Sequence, residues 1–236
     1  AKPAKGSARP AYNPVPRLIA LLDAAEVHVP FDGWSQTTFD AAVAEVGMNP
    51  AHAKTLCPRG AADLAVAYHL RGDARMVAAL DADDLDEMRF RDRVAHAIRV
   101  RLADADKEIV RRGSALFALP HMAADGAKLI WGTADAVWTA LGDTSNDVNW
   151  YTKRATLSAV YGSVVLFWLG DDGTGLDDFI DRRIDNVMQF EKVKAQVNEN
   201  PLLKPLTGPL ARMASMIKAP ARIPDVDLPG VWHDPK

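Results

Sequence analysis

Apolar residues recur at helical spacing along most of this chain, and no stretch shows the alternate-residue pattern of a half-buried strand. That periodicity restricts the fold to one assembled from helices. Leu18, Leu21, Leu22 and Ala25 share one face over residues 17–27, and Pro30 and Gly33 are expected to close that helix. A second helix is predicted from Thr37 or Thr38 to Val46, ended by Gly47. Asn49 is placed to cap a short third helix over 50–56, with Pro50 at the favoured first position. After the breakers Pro58 and Gly60, a fourth helix starts near Ala61 and reaches at least Leu70. Further helices are predicted over 85–104, 108–119, 123–141, 150–169 and 176–197. The tract 150–169 is apolar almost all round after Leu157, as in a helix buried deeply or shared between subunits. A homodimer is expected on that ground.

The first four helices have a particular order: long helix, helix of roughly ten residues, tight glycine turn at Gly47, short helix, Pro-x-Gly, then another helix. This is the order of a TetR-type helix-turn-helix, in which the glycine separates positioning and recognition helices. The reading is therefore an all-α, TetR-like helical bundle. Residues 1–16, with Lys2, Lys5, Arg9 and four prolines, form a disordered basic arm without the apolar centre of a signal peptide. Residues 17–70 form the helix-turn-helix-like subdomain and 71–197 the larger bundle. A linker and an amphipathic helix occupy 198–219, and 220–236 are an irregular Pro-rich tail.

Charge and cysteine usage narrow the function classes. A net charge of −3 and a pI near 6.1 argue against a dedicated nucleic-acid binder. The proposed recognition helix over 50–56 offers only His52, Lys54, Thr55 and the nearby Arg59, while Ala51, Ala53 and Leu56 take the remaining space. That is thin for a site held largely by phosphate contacts. The single Cys57 excludes an internal disulfide and a cysteine metal cluster, and is read as a buried inert thiol. No apolar run reaches the roughly 18 residues of a membrane span.

Catalytic patterns are missing. None of the six histidines lies three to five residues from another, so there is no helical metal pair, and no Glu-x-x-His pair is present. No Gly-x-Ser-x-Gly elbow exists. The glycines of 170–175 surround two aspartates that would repel phosphate. The run from Asp143 to Asn149 imitates half a calcium loop, but Val148 replaces the required glycine and Arg154 the required glutamate. No metal, cofactor or catalytic residue is assigned, and a non-enzymatic role is expected.

The run Asp147-Val148-Asn149-Trp150-Tyr151-Thr152-Lys153-Arg154 reads as a helix start, with Asp147 or Asn149 as cap. Trp150 and Arg154 fall on one helix face. Two aromatics and an arginine at one helix entrance have the composition of a binding hot spot, although Trp150 and Tyr151 would equally serve as core anchors. Leu206, Leu210, Met213 and Ile217 form one stripe of a predicted helix, with Lys204, Arg212 and Lys218 beside it. That helix suits a membrane surface, or packing on the bundle or a second subunit.

The same run carries a resemblance. Asp-x-Asn-Trp-Tyr-Thr-Lys-Arg, followed by Ala155-Thr156-Leu157 and Val160-Tyr161, resembles the signature of the COQ-nine family, accessory lipid-binding proteins of ubiquinone biosynthesis. The likeness extends through residues 107–120, through Trp131-Gly-Thr-Ala-Asp135 and Trp138, and through 179–185. It implies a TetR-like fold whose cavity holds isoprenoid quinone precursors, and Leu116, Phe117, Trp131, Trp138 and Trp168 are the candidate lining residues. It implies that Trp150, Tyr151 and Arg154 form a surface patch docking a ring-hydroxylating enzyme of the pathway. It also favours a membrane-touching role for Leu206, Leu210, Met213 and Ile217. A location peripheral to the bacterial inner membrane, or on the matrix side of the mitochondrial one, would follow. The alternative reading is a TetR-family transcription regulator with a hydrophobic effector.

Overall fold

The computed structural model describes residues 14–199 and 218–219. Among the described residues the chain is all helix: α1 (Pro16–Asp32), α2 (Gln36–Glu45), α3 (Pro50–Leu56), α4 (Ala61–Ala82), α5 (Phe90–Ala103), α6 (Lys107–Phe117), α7 (Ala123–Ala140), α8 (Val148–Gly170) and α9 (Leu176–Glu199). The stripe Leu206, Leu210, Met213 and Ile217 lies outside the described residues.

Two apolar cores share α4. The first half of α4 supplies Leu64 and Ala65 to a core with Leu21, Leu22, Phe39 and Ile109. Its second half supplies Met76 and Leu80 to a core with Ile98, Val137, Val164 and Ile180. Many of these positions are alanine, whose small side chain lets helices approach closely. Cys57 is fully buried, and burial, reinforced by Asp63 and only partly offset by Lys54, pushes its thiol up to about 11. It is an inert core residue at neutral pH.

Two helix boundaries differ by several residues from the sequence expectation. Helix α1 continues through Pro30 to Asp32. A proline near the end removes one backbone bond without stopping the helix, and Gly33, at φ 67°, makes the actual turn. Helix α4, expected to reach at least Leu70, runs on to Ala82, and within it a Cβ at Gly72 would sit 2.6 Å from the Arg101 guanidinium. Helix α5 starts at Phe90 instead of 85, since the Arg93 side chain ties up the carbonyls of Asp86 and Met88 in a turn.

The helix-turn-helix geometry is present. Gly47 has φ 61°, and the Asn49 side chain accepts from the N–H groups of Ala51 and His52 to start α3. Around α3, Lys54 lies over the Phe39 ring, Arg17 bonds His52, and Arg59 pairs with Asp63 and Asp125.

Candidate functional site

Helix α8 begins on Asp147, whose carboxylate accepts from the N–H of Asn149 at 2.9 Å. Asp147, not Asn149, is therefore the cap. Replacing Asp147 by Ala should cost about 1 kcal/mol of stability, measured by urea unfolding, and an unchanged midpoint would count against the cap.

The first turn of α8 presents an aromatic row. Trp150 packs edge-on against Tyr151 at 4.8 Å between centroids and tilted against Trp131 of α7 at 6.0 Å. All three are partly exposed. The Tyr151 hydroxyl donates to the carbonyl of Lys218 at 3.3 Å, and Ala219 N–H donates to the Asn146 carbonyl at 3.0 Å. The chain thus returns to this helix start after residue 217.

Arg154 does not belong to the exposed face, which corrects the expectation that it is a surface member of the patch. It is 1% exposed. Its Nε donates to Asp135 at 2.6 Å, its Nη1 donates to Asp143 at 3.0 Å and to the Trp150 carbonyl at 3.2 Å. Its guanidinium lies 3.9 Å from the Trp150 ring centroid. Arg154 therefore braces Trp150 from below. Burial disfavours the Asp143 carboxylate, but bonds from Lys153, Ser145 and Arg154 prevail and hold its pKa down to about 2.

A cavity of about 330 Å³ lies between the two cores, walled by α4, α5, α6, α7 and α8. Its apolar wall includes Trp34, Ile109, Phe117, Leu129, Ile130 and Val165. Leu166, 69% exposed, and the exposed Ala118 mark its mouth. Of the five expected lining residues, only Phe117 reaches it. Leu116 packs on the N-terminal core. Trp131 belongs to the aromatic row. Trp138 packs on the other core, donating from Nε1 to the Lys153 carbonyl at 3.0 Å and stacking on Phe90. Trp168 packs on that core under Lys107. Bulk had nominated these tryptophans; Trp138 and Trp168 instead pack on a core and Trp131 stands in the partly exposed row.

Sequence reasoning missed a polar cluster at the cavity: His69 and Arg101 on its wall, with Asp73 and Thr133 bonded to them. A signal existed. Asp73 falls on the stripe of Met76 and Leu80, and Arg101 on that of Val94 and Ile98. A charge inside an apolar stripe marks either a buried pair or a misplaced helix face.

Comparison with known proteins places these features in context. The COQ9 family model matches residues 123–191, from α7 through most of α9. The chain is 27% identical over 192 residues to the probable ubiquinone biosynthesis protein coq9, mitochondrial, of Dictyostelium discoideum, covering 77% of this chain and 62% of that one. It is 26% identical over 189 residues to the ubiquinone biosynthesis protein COQ9, mitochondrial, of Homo sapiens, covering 75% and 59%. The chain thus spans about three fifths of the length of these relatives. Its fold is TetR-like: the TetR transcriptional regulator from Nitrosomonas europaea superimposes with a TM-score of 0.60 at 17% identity, covering 72% of this chain and 97% of that one.

Proposed function

We propose that this chain, similar to the COQ9 family over residues 123–191 and to COQ9 proteins along most of its length, is a non-catalytic accessory protein of ubiquinone biosynthesis that presents isoprenoid quinone intermediates to a ring-hydroxylating enzyme. The observation that carries this reading is the apolar cavity whose mouth lies along α8, the helix whose first turn holds the aromatic row. Leu166 on the cavity wall and the Trp150–Tyr151 pair lie on the same helix, about 24 Å apart along its axis. These two rings are rigid, partly exposed anchors for a partner, and Arg154 is proposed to serve the patch by holding Trp150. Among the described residues no helix is long and apolar enough to cross a membrane. Surface attachment is assigned to Leu206, Leu210, Met213 and Ile217, and pairing of two copies to α8. The mitochondrial location in the relatives' names makes the matrix side of an inner membrane, or its bacterial equivalent, the proposed site of action.

The alternative, a regulator binding DNA through α3, is disfavoured by that helix's surroundings. Arg59 is engaged by two aspartates and Lys54 leans on Phe39, which leaves little positive charge for phosphates.

Gly162 supplies the test. It lines the cavity, and a Cβ there would meet nothing within 4 Å. Gly162→Leu should place a side chain in cavity space, its Cβ meeting no neighbour, and replacing a helical glycine should offset part of any packing cost by up to about 1 kcal/mol. Solvent extraction and mass spectrometry should recover an isoprenoid or phospholipid from the purified protein and several-fold less from the variant. Equal recovery from both would overturn the cavity reading. A sequence-selective nanomolar DNA complex at physiological salt would favour the regulator.

A further inference from the structure

The cavity wall is mostly apolar; besides Tyr68 and Ser114, its polar side chains are Arg101 of α5, His69 of α4 and Tyr161 of α8. Behind them two buried groups complete a set. Arg101 Nε donates to Asp73 at 2.7 Å, and Arg101 Nη2 donates to the His69 carbonyl at 3.1 Å. The Thr133 hydroxyl donates to Asp73 at 2.9 Å and so accepts from His69 Nε2 at 2.8 Å. Asp73, Arg101 and Thr133 are 7%, 6% and 1% exposed. Tyr161 is 4% exposed and lines the cavity. A phenol on an otherwise apolar wall offers a polar ligand atom the hydrogen bond it loses on leaving water.

The chemistry of this corner is selective. Burial lowers the His69 pKa to about 4, with Arg101 adding to the effect against Asp73, so the imidazole is neutral. Arg101 and Asp73 cancel one another. The corner therefore carries no surplus positive charge, which disfavours a phosphate and suits an uncharged oxygen. Burial pushes the Tyr161 phenol up to about 12 against the pull of Arg101, so it keeps its proton and donates. Trp34 and Tyr68, 5.9 Å apart, add two aromatic faces to the wall. The volume, at the lower end of the roughly 300–1,000 Å³ of ligand sites, admits a substituted ring and little tail.

We propose that this corner receives the oxygen-bearing head of a phenolic or quinonoid ring, with the Tyr161 hydroxyl donating to a ring oxygen and the isoprenoid tail leaving along the apolar wall toward Leu166. The proposal rests on the lipid-presenting reading and adds to it a direction of binding, head inward, and a residue that distinguishes ring from hydrocarbon.

Calorimetric titration of the full chain with a one-isoprene ubiquinone analogue and with prenylbenzene, which lacks the oxygens, separates the possibilities. The wild-type protein should prefer the quinone by about ten-fold or more. Tyr161→Phe removes one oxygen from a side chain that otherwise fills the same space. It should weaken quinone binding roughly three- to ten-fold, the effect of one net hydrogen bond, and leave prenylbenzene unchanged. Equal affinity of the wild type for both probes, or unchanged quinone binding in Tyr161→Phe, overturns the head-inward proposal and leaves lipid binding standing. Binding of neither probe removes the lipid-presenting reading and this proposal together.

Discussion

Arg154→Ala should destabilise the protein by about 3–5 kcal/mol, the largest loss expected from any single substitution in α8. The guanidinium is 1% exposed and bonded to Asp135 and Asp143, whose side chains are 6% and 2% exposed. Its removal strips two buried carboxylates of their shared cation. Removing one partner from such a set costs far more than the net worth of the intact set, because the charges left behind have lost water as well as the ion. The loss has a pH signature. The Asp143 pKa is depressed to about 2, so its contribution is present in full above the usual carboxylate range and disappears as pH falls from about 4 through 2. In Arg154→Ala part of that depression goes, so acid unfolding should begin at higher pH. Urea titrations at pH 7 and pH 3 measure both effects. A loss below about 1 kcal/mol at pH 7 would show that the set is dispensable.

This expectation reverses what the sequence suggested for the same residue, and the reason is instructive. Helical spacing placed Trp150 and Arg154 on one face correctly, since the two stack at 3.9 Å. It could not tell which side of that face met solvent. The deciding facts are the carboxylates of Asp135 on α7 and Asp143 in the turn before α8, and their convergence is a tertiary event with no local signature. The fold was legible for the opposite reason. Caps, glycine turns and apolar stripes are local, and Gly47 and Asn49 do in the structure what their residue types dictate. At Pro30 a residue that reads as a stop in isolation lies inside α1, because one missing backbone bond near a helix end does not halt it. The cavity was the least legible feature. Its wall is made from five helices, and small residues such as Gly113, Gly126 and Gly162 create its space as much as large ones bound it. A search for bulky aromatics therefore selected residues that fill cores, while Asp73 and Arg101, conspicuous charges in apolar stripes, went unread.

Trp150→Ala should weaken association with the ring-hydroxylating partner by about 2–4 kcal/mol, roughly thirty-fold or more, if the aromatic row is the docking surface. Trp150 is the centre of that row: it touches Tyr151 on one side and Trp131 on the other, and the Arg154 guanidinium fixes its orientation. A ring held on three sides has little rotamer freedom left to lose on binding, which is the property of a good anchor. Tyr151→Ala should have a smaller effect on docking, and a distinct one, because its hydroxyl also bonds the carbonyl of Lys218. Arg154→Lys separates bracing from contact. Lysine keeps the charge but cannot bond both carboxylates while lying flat on an indole, so it should loosen Trp150 and weaken docking without any contact of its own. Partner affinity is read by surface plasmon resonance and fold stability by thermal unfolding. Should Trp150→Ala lower the two in proportion, the row is a structural joint between α7 and α8. Should it leave stability nearly intact while docking collapses, and Arg154→Lys follow the same pattern more weakly, the buried arginine acts through the ring above it.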